Sequence, residues 1–313
     1  MDMRENKIKK KPAWLKVVGI TILVFFAAVG GYAFYVYNSL TNAVDTMHQP
    51  IDREKSEKRP TPVTLEEEQP FSVLMLGVDE REGDRGRSDT LIVLTVNPST
   101  QTTKMLSIPR DTRTEIVGKG FEDKINHAYA FGGVEMSMDT VENFLDIPID
   151  YYMQINMEGF RDIVDATGGV TVENDLDFTY AGVHFPKGEI VLNGEKALKY
   201  SRMRYEDPRG DFGRQSRQRQ VIQAVIKQGA SFSSLTKFDE IFEAIGQNIK
   251  TNMKFNEMVD IQSNYKKAAK NIEQMEISGS GTKIDGIYYY VVSDEEQQKL
   301  QQTLKEHLQV KLD

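Results

Sequence analysis

The sequence contains no cysteine, only four histidines and a single tryptophan among its 313 residues. Without cysteine it can form no disulfide and carry out no thiol chemistry, so a folded domain must rely on its hydrophobic core. The histidines lack the spacing of metal ligands; they are His48, His127, His184 and His307. GxSxG, Walker A and GxGxxG motifs are also absent, which argues against α/β-hydrolases, nucleotide-binding P-loops and Rossmann enzymes.

Basic residues are scarce beyond the N-terminus. The chain has a formal net charge of −8, yet residues 1–16 hold six of its 39 basic residues and only two of its 47 acidic ones. The remainder therefore has a net charge of −12. Broad electrostatic binding to nucleic acid or anionic lipid is not expected of so acidic a chain, and we predict no nucleic-acid partner.

The longest apolar run, Val17–Tyr37, contains 21 uncharged residues. About 20 such residues span a bilayer as a helix, so the run predicts a transmembrane helix. Six basic residues precede it and none follows before Arg53, which predicts a cytoplasmic segment at residues 1–16 and an extracytoplasmic remainder. A signal peptide cleaved near Ala33 is the alternative, but the run exceeds the roughly 7–15 apolar residues typical of such peptides.

Residues 38–70 are charged, interrupted by proline and without apolar periodicity, which predicts a linker that lifts a domain off the membrane. Residues 71–313 suit one large extracytoplasmic domain. Strands are predicted at 71–79, 90–96, 103–108, 150–156, 170–173 and 286–292. Helices are predicted at 134–145, 157–167, 194–200, 213–228, 234–250, 255–272 and 294–308. This interleaving predicts an α/β fold with a central mixed β-sheet flanked by helices.

Charged residues cluster where the first three predicted strands begin or end. Strand one ends at Asp79, strand two begins at Asp89, and the antiparallel third strand returns to Arg110. These residues should therefore share one rim of the sheet, together with Arg81, Arg87 and Asp111. Two carboxylates suit Mg²⁺, and arginines stabilise charge on a transferring phosphoryl group. Turn capping by the aspartates is the alternative interpretation.

Six arginines and no lysine lie within 18 residues: Arg202, Arg204, Arg209, Arg214, Arg217 and Arg219. Guanidinium is a planar fork of donors suited to bidentate binding of phosphate oxygens. The helix predicted from Gly213 puts Arg214 and Gln218 on one stripe, and its N-terminus adds backbone donors for an anion. A surface salt-bridge network with Glu206, Asp207 and Asp211 is the alternative.

Seven motifs between residues 72 and 222 occur in the order seen in the LytR-CpsA-Psr family: LMLGVDER, GRSDTLIVLTVNP, SIPRDT, KINHAYAFGG, GGVTV, LNGEKALKYSRMR and GDFGRQSRQRQ. The chain resembles this family, in particular its teichoic-acid transferases from Gram-positive bacilli. The resemblance implies an extracytoplasmic enzyme that moves an anionic glycopolymer from an undecaprenyl-pyrophosphate carrier to peptidoglycan. It also implies Mg²⁺ or Mn²⁺ as cofactor, and an apolar channel for the polyprenyl tail between sheet and helices.

The resemblance also implies roles for individual residues. Asp79 and Asp89 match the acidic pair at the metal and the acceptor hydroxyl, with Arg110 beside them. The pyrophosphate would be bound by Arg87, Arg110, Lys124, Arg202, Arg204, Arg214 and Gln218, with Asp211 orienting the arginines. Arg81 and Arg217 match weaker positions.

Together these features predict a membrane-anchored phosphotransferase. A C6 hydroxyl of peptidoglycan would attack the polymer-side phosphorus, and undecaprenyl phosphate would leave. A pyrophosphohydrolase that releases the polymer to water would use the same residues. A non-enzymatic, membrane-anchored regulator that binds DNA through the arginines is the alternative of another class; the predicted topology and the acidic charge argue against it.

Overall fold

The computed structural model describes residues 13–53, 55–78, 86–231, 246 and 248–311. The strands in this part of the chain are β1 (Phe71–Val78), β2 (Ser88–Asn97), β3 (Thr102–Ile108), β4 (Arg113–Ile116), β5 (Phe121–Lys124), β6 (Tyr151–Ile155), β7 (Val170–Asn174), β8 (Phe178–Tyr180), β9 (Val183–Phe185), β10 (Gly188–Leu192), β11 (Ile249–Thr251), β12 (Ile272–Met275), β13 (Ser280–Ile284) and β14 (Ile287–Val291). The helices are α1 (Ala13–Met47), α2 (His127–Leu145), α3 (Met157–Ala166), α4 (Gly194–Arg202), α5 (Asp211–Ser231), α6 (Phe255–Asn264), α7 (Lys266–Lys270) and α8 (Asp294–Leu308).

Six strands form one mixed sheet in the order β11-β6-β1-β2-β3-β12. β1, β2 and β3 form an antiparallel meander in which Leu91 pairs with Leu76 on one side and with Ile108 on the other. β6 is parallel to β1, and β12 is parallel to β3. The ends of β1, β3 and β6 therefore meet the start of β2 at one rim. The predicted central mixed sheet is confirmed.

Helices cover both faces of this sheet because successive side chains of a strand point to opposite faces, and here apolar side chains lie on both. On one face Leu74, Leu76 and Val93 pack in a core with residues of α2 and α8. On the other face Met75 and Ile92 pack with Ile222 of α5 and with residues of α6 and α7. The sheet is thus the middle layer of three, as expected of an α/β domain.

A third apolar cluster joins α3, α4 and α5 to the small sheet of β7 and β10. Val172 of β7, Ala197 of α4 and Val221 of α5 are buried in it. Since α4 and α5 share this core, the loop between them, residues 203–210, is held close to the rim of the central sheet. The segment of six arginines predicted to form the site spans α4, this loop and α5.

The glycine pair in α2 makes a break inside the helix. Gly133 has φ +67°, in the left-handed region that glycine adopts readily, and Ser137 Oγ donates to its carbonyl oxygen at 2.9 Å. The regular helix that follows corresponds to the one predicted at 134–145.

In the described part of the chain, α1 contains one stretch, Ile22–Met47, that is long and apolar enough to cross a membrane by length and composition. It overlaps the span predicted at Val17–Tyr37. The last turn of α1 does not stand apart from the domain. Val44 and Met47 are each 1% exposed and pack against Ile249 in a separate apolar cluster.

Residues 48–53 and 55–70, which fall in the linker predicted at 38–70, contact the surface of the domain. Arg53 donates to Glu142 of α2 at 2.9 Å, and Arg59 forms an ion pair with Asp150 at 2.6 Å. The charges that suggested a solvated linker are therefore satisfied by the domain surface. Composition reports that a segment is charged, but the partners of those charges come from distant positions in the chain.

Most predicted elements are present with shifted ends, and the differences lie in short segments or outside the described residues. The helix predicted at 234–250 falls mainly outside the described residues, and residues 249–251 form β11 instead. The helix predicted at 255–272 is two helices, α6 and α7, and residue 272 begins β12. The short strands β4, β5, β8, β9, β10 and β13 were not predicted, because three to five residues carry too little periodicity to be recognised.

Candidate active site

Asp89 and Arg110 meet at the rim where β2 begins and β3 has ended. Arg110 Nη1 donates to Asp89 Oδ1 at 2.8 Å, and the two side chains are 23% and 40% exposed. The antiparallel pairing of β2 and β3 causes this contact, as the hairpin predicted. Burial alone would lower the pKa of Arg110, but the hydrogen bond and charge of Asp89, aided by Asp211 and Asp111, raise it.

The rim continues to Lys124 at the end of β5. Lys124 Nζ donates to Asp111 Oδ1 at 2.7 Å, and Arg110 Nε lies 3.8 Å from Asp111 Oδ2. Asp111 thus holds two cations, on either side of its carboxylate, and Lys124 lies near the arginine site as predicted.

The first turn of α5 supplies a second group of charges. Asp211 Oδ1 lies 2.7 Å from Arg214 Nη2 and 3.7 Å from Arg204 Nε, and Gln215 donates to Asp211 Oδ2 at 3.0 Å. Asp211 therefore lies between arginines from two elements. Its predicted role as the residue that orients them fits these contacts.

Arg214 is the most buried cation at the rim for which burial lowers the pKa. Its side chain is 13% exposed, and its buried Nε has no hydrogen-bond partner among the described residues. Burial is the main cause that lowers its pKa; Asp211 opposes this, while the nearby charges of Arg110 and Arg204 lower the pKa further. A buried guanidinium beside two others is costly unless an anion is added to neutralise it.

An apolar cavity of about 220 Å³ opens beside this cluster, between the sheet and helices α3, α4 and α5. Its apolar wall includes Met75, Val78, Ile155, Met157, Phe160, Leu198 and Ile222. Its polar lining includes Asp89, Arg202, Arg214 and Gln218. A cavity with an apolar body and a cationic end suits an amphiphile with an anionic head.

Three further charged residues were predicted near the rim: Asp79, Arg81 and Arg87. Asp79 and Arg81 lie outside the described residues, so their predicted places at the rim and the metal stay predictions. Arg87 is exposed just before β2 and forms no hydrogen bond or ion pair with another described residue.

Three of the six clustered arginines, none of them among the residues predicted to bind the pyrophosphate, form ion pairs within the protein. Arg217 is fully buried and donates to Asp207 Oδ2 at 2.6 Å and to the carbonyl oxygen of Tyr200 at 3.1 Å. Arg209 also pairs with Asp207, at 3.0 Å. Arg219 forms an ion pair with Glu276. The ion pairs of the salt-bridge alternative are thus present at Asp207, with Arg209 and Arg217, and at Asp211, with Arg204 and Arg214. Arg214 differs from the others because it also lines the cavity.

One of the four histidines contacts two threonines of the central sheet. His307 is buried, with Nδ1 2.8 Å from Thr95 Oγ1 and Nε2 2.9 Å from Thr102 Oγ1, and burial lowers its pKa to about 4. Among the described residues no three His, Cys, Asp or Glu side chains are grouped to hold a metal. Mg²⁺ needs only one or two carboxylates when phosphate oxygens complete its shell, and Asp89 offers one at the cavity.

The resemblance implied an apolar channel between sheet and helices, but the individual lining residues of α3 and α4 were not identified from the sequence. Met157, Phe160 and Leu198 have the spacing of ordinary core residues, and periodicity cannot separate a core position from a cavity wall. Gln215, which holds Asp211, was also missed. Its one signal was its position four residues after Asp211 on the same helix.

The sequence of this chain matches a known protein family. The LytR_cpsA_psr family model matches residues 34–306. The chain belongs to this family. The polyisoprenyl-teichoic acid–peptidoglycan teichoic acid transferase TagU of Bacillus subtilis (strain 168) is 54% identical over 307 residues, which are 98% of this chain and 100% of that protein. Membership covers the sheet, the cavity and the arginine segment, so the resemblance seen in the motifs is confirmed.

Solved structures of family members have the same fold. The crystal structure of TagU from B. subtilis is 56% identical and matches with a TM-score of 0.64, over 78% of this chain and 99% of that one. The structure of TagT bound to LIIa-WTA is 33% identical, with a TM-score of 0.72 over 84% of this chain and 100% of that one.

Proposed function

We propose that this protein is a phosphotransferase that attaches an anionic glycopolymer, wall teichoic acid, from its undecaprenyl-pyrophosphate-linked precursor to peptidoglycan. The observation that carries the proposal is the apolar cavity whose polar end holds Arg202, Arg214 and Asp89. A polyprenyl chain suits the apolar body, and a pyrophosphate suits the guanidinium groups. The names of the full-length relatives, which are teichoic acid transferases, support the same substrates.

The charges at the site favour a pyrophosphate diester. The described rim and cavity bring together five cations, Arg110, Lys124, Arg202, Arg204 and Arg214, and three carboxylates, Asp89, Asp111 and Asp211. The net charge of this set is +2, and a pyrophosphate diester carries two negative charges. Arg214 lines the cavity, so its guanidinium offers donors to one of these oxygens.

The reaction is a displacement at the polymer-side phosphorus. A C6 hydroxyl oxygen of peptidoglycan forms a new bond to that phosphorus, and the bond from the phosphorus to the bridging oxygen breaks. Undecaprenyl phosphate leaves with the electron pair, and the hydroxyl proton passes to a carboxylate at the rim. Arg110 and Arg214 stabilise the negative charge that develops on the phosphoryl and leaving oxygens.

The proposal includes Mg²⁺, or Mn²⁺ in its place, with Asp89 and Asp79 as its protein ligands. The metal would neutralise charge on the pyrophosphate during transfer. Asp89 is partly exposed and borders the cavity, as a ligand shared with substrate phosphates requires. Arg110 fixes the orientation of this carboxylate by its hydrogen bond.

We further propose that α1 is the single membrane span, with residues 1–16 in the cytoplasm and the domain outside. The six basic residues before the apolar run support this orientation. Protease added to intact wall-less cells should therefore digest the domain, and a protected domain would contradict both the topology and the access to peptidoglycan.

The function is tested with purified full-length protein, a lipid-linked teichoic acid precursor and glycan strands. Wild-type protein should release undecaprenyl phosphate only when the glycan acceptor is present, and Asp89→Asn should reduce transfer by at least about 100-fold, because the carboxylate charge is lost. Thermal unfolding of the variant checks that it is folded. Equal release with and without acceptor would instead identify a pyrophosphohydrolase.

A further inference from the structure

A row of aromatic rings leads away from the arginine site on the surface of the domain. Phe212, next to Asp211 in the first turn of α5, contacts Tyr290 edge-on with the ring centroids 5.4 Å apart. Tyr288 lies two residues earlier on β14 and on the same face of that strand. Phe212 is 39% exposed and Tyr288 is 45% exposed, with the buried Tyr290 between them in the row.

The floor of this row is made of backbone. A Cβ added to Gly279 would lie 2.8 Å from Tyr290 Cε1, and one added to Gly281 would lie 2.6 Å from Tyr288 Oη. The two rings therefore pack closely against glycines, Gly279 just before β13 and Gly281 within it, on the strand that pairs with β14. A ring packed in this way loses little conformational freedom when a ligand stacks on its exposed part, and of the two only Tyr288 is exposed.

The row starts on the side of the site away from the apolar cavity. Along α5, the cavity is lined by Ile222, Gln218 and Arg214, and Phe212 lies beyond them toward the N-terminus of the helix. The charged cluster and the aromatic row are also neighbours at the rim, because the backbone N–H of Tyr290 donates to the carbonyl oxygen of Asp111, which is next to Arg110. The charged cluster thus separates the cavity from the aromatic row.

The order of cavity, charged cluster and aromatic row suits an in-line displacement. The attacking oxygen must approach the phosphorus from the side opposite the leaving group. With the polyprenyl phosphate in the cavity, the acceptor must come from the side of Phe212. Sugar rings carry a face of C–H bonds that stacks on aromatic rings, and a neutral glycan needs no cation. The charged cluster would instead bind the anionic donor.

We propose that Phe212 and Tyr288 form an acceptor platform, on which sugar rings of the peptidoglycan strand stack while a C6 hydroxyl reaches the arginine site. This inference rests on the proposed transferase function and deepens it by assigning a binding surface to the acceptor. Tyr288 and Phe212 act by positioning the acceptor, and neither is part of the pyrophosphate site.

The test measures acceptor and donor kinetics separately, with full-length protein in detergent micelles and uncrosslinked glycan strands. Tyr288→Ala should raise the KM for the glycan roughly 3- to 10-fold, the size expected for loss of one aromatic stacking contact. The KM for the lipid-linked donor and kcat at saturating glycan should not change. Tyr288→Phe and Tyr288→Trp should retain the wild-type KM because they keep a ring.

Ile287→Ala is the matched control, since Ile287 is 51% exposed and lies next to Tyr288 on the opposite face of the same strand. It should leave both KM values unchanged. If Tyr288→Ala leaves the glycan KM unchanged, or raises the donor KM equally, the platform is wrong.

A binding measurement separates this inference from the proposed function. Calorimetric titration of the protein with glycan strands alone, without donor, should show weaker binding to Tyr288→Ala than to wild type. If wild-type protein binds the strands in this way but transfers nothing to them, the transferase function fails and the platform stands. If neither wild type nor Ile287→Ala binds the strands better than Tyr288→Ala does, the platform fails whatever the reaction.

Discussion

At the scale of single residues, the arginine segment contains two kinds of guanidinium. Arg217 and Arg219 each pair with a carboxylate and do not line the cavity, whereas Arg214 pairs with Asp211, lines the cavity and has two cationic neighbours. The first kind stabilises the fold, and the second kind is placed to bind a ligand anion. Helical spacing put Arg214 on the predicted stripe and Arg219 off it, but it could not identify Glu276 as the partner of Arg219, because that contact follows from tertiary structure.

This difference predicts how lysine substitutions act. Arg110→Lys and Arg214→Lys keep the charge but lose the planar fork, so each should weaken binding of a short-chain polyprenyl-pyrophosphate sugar by about 1–3 kcal/mol. Arg219→Lys, which keeps the ion pair with Glu276, should bind as wild type does. Calorimetric titration of the purified proteins measures all three. Equal affinities throughout would mean that the cluster acts only as a charged face, and the site would have to be reassigned.

At the scale of elements, α5 joins the site to the core through its first turn. Gly213 in that turn has no room for a side chain, since an added Cβ would lie 1.9 Å from Asp207 Oδ2. Asp207 is held there by Arg217 and Arg209, whose hydrogen bonds outweigh its burial and lower its pKa to about 2. The loop that carries Arg204 is therefore fixed by a buried ion pair packed against a glycine.

Two glycine substitutions in α5 test this packing. Gly213→Ala should destabilise the protein by about 1–3 kcal/mol, since the Asp207–Arg217 pair must move to admit the methyl group. Gly229→Ala should instead stabilise it by roughly 0.5–1 kcal/mol, because nothing lies within 4 Å of that position and alanine favours the helix. Denaturant unfolding gives both values. A similar change for the two variants would show that Gly213 is not under steric constraint.

The predictability of the fold follows from the length of its elements. β1, β2 and β3 were located from sequence because each is a long apolar run with clear ends, and their antiparallel order alone brought Asp89 to Arg110. The aromatic row of Phe212, Tyr290 and Tyr288 had no such signal. Its rings meet Phe212 from a position almost 80 residues away in the chain, and only packing brings them together.

At the scale of the whole molecule, α1 and the segment after it belong to the domain. Val44 and Met47 fill an apolar cluster with Ile249, and Arg53 and Arg59 hold residues 48–70 on the surface. This charged, proline-containing segment was predicted to be a linker, because composition does not reveal which residues pair with its charges. The domain that folds therefore begins inside α1, before residue 71.

Shortened chains test where the domain begins. A chain starting at residue 49 should be less stable than one starting at residue 38 by on the order of 3 kcal/mol, because it lacks the buried side chains of Val44 and Met47. Thermal and urea unfolding of the two purified proteins compare them, and Asp45→Asn in the longer chain is an exposed control in the same turn. Identical stabilities would mean that the end of α1 only rests on the surface.

The buried end of α1 also sets where in the cell wall such an enzyme can work. With α1 as the proposed membrane span, no flexible segment separates the bilayer from the domain, so the height of the site above the lipid headgroups varies little. Polymer attachment is then confined to glycan strands within one molecular diameter of the membrane. Older strands displaced outward during growth would pass beyond reach, and each would keep the density of polymer that it received while it was innermost.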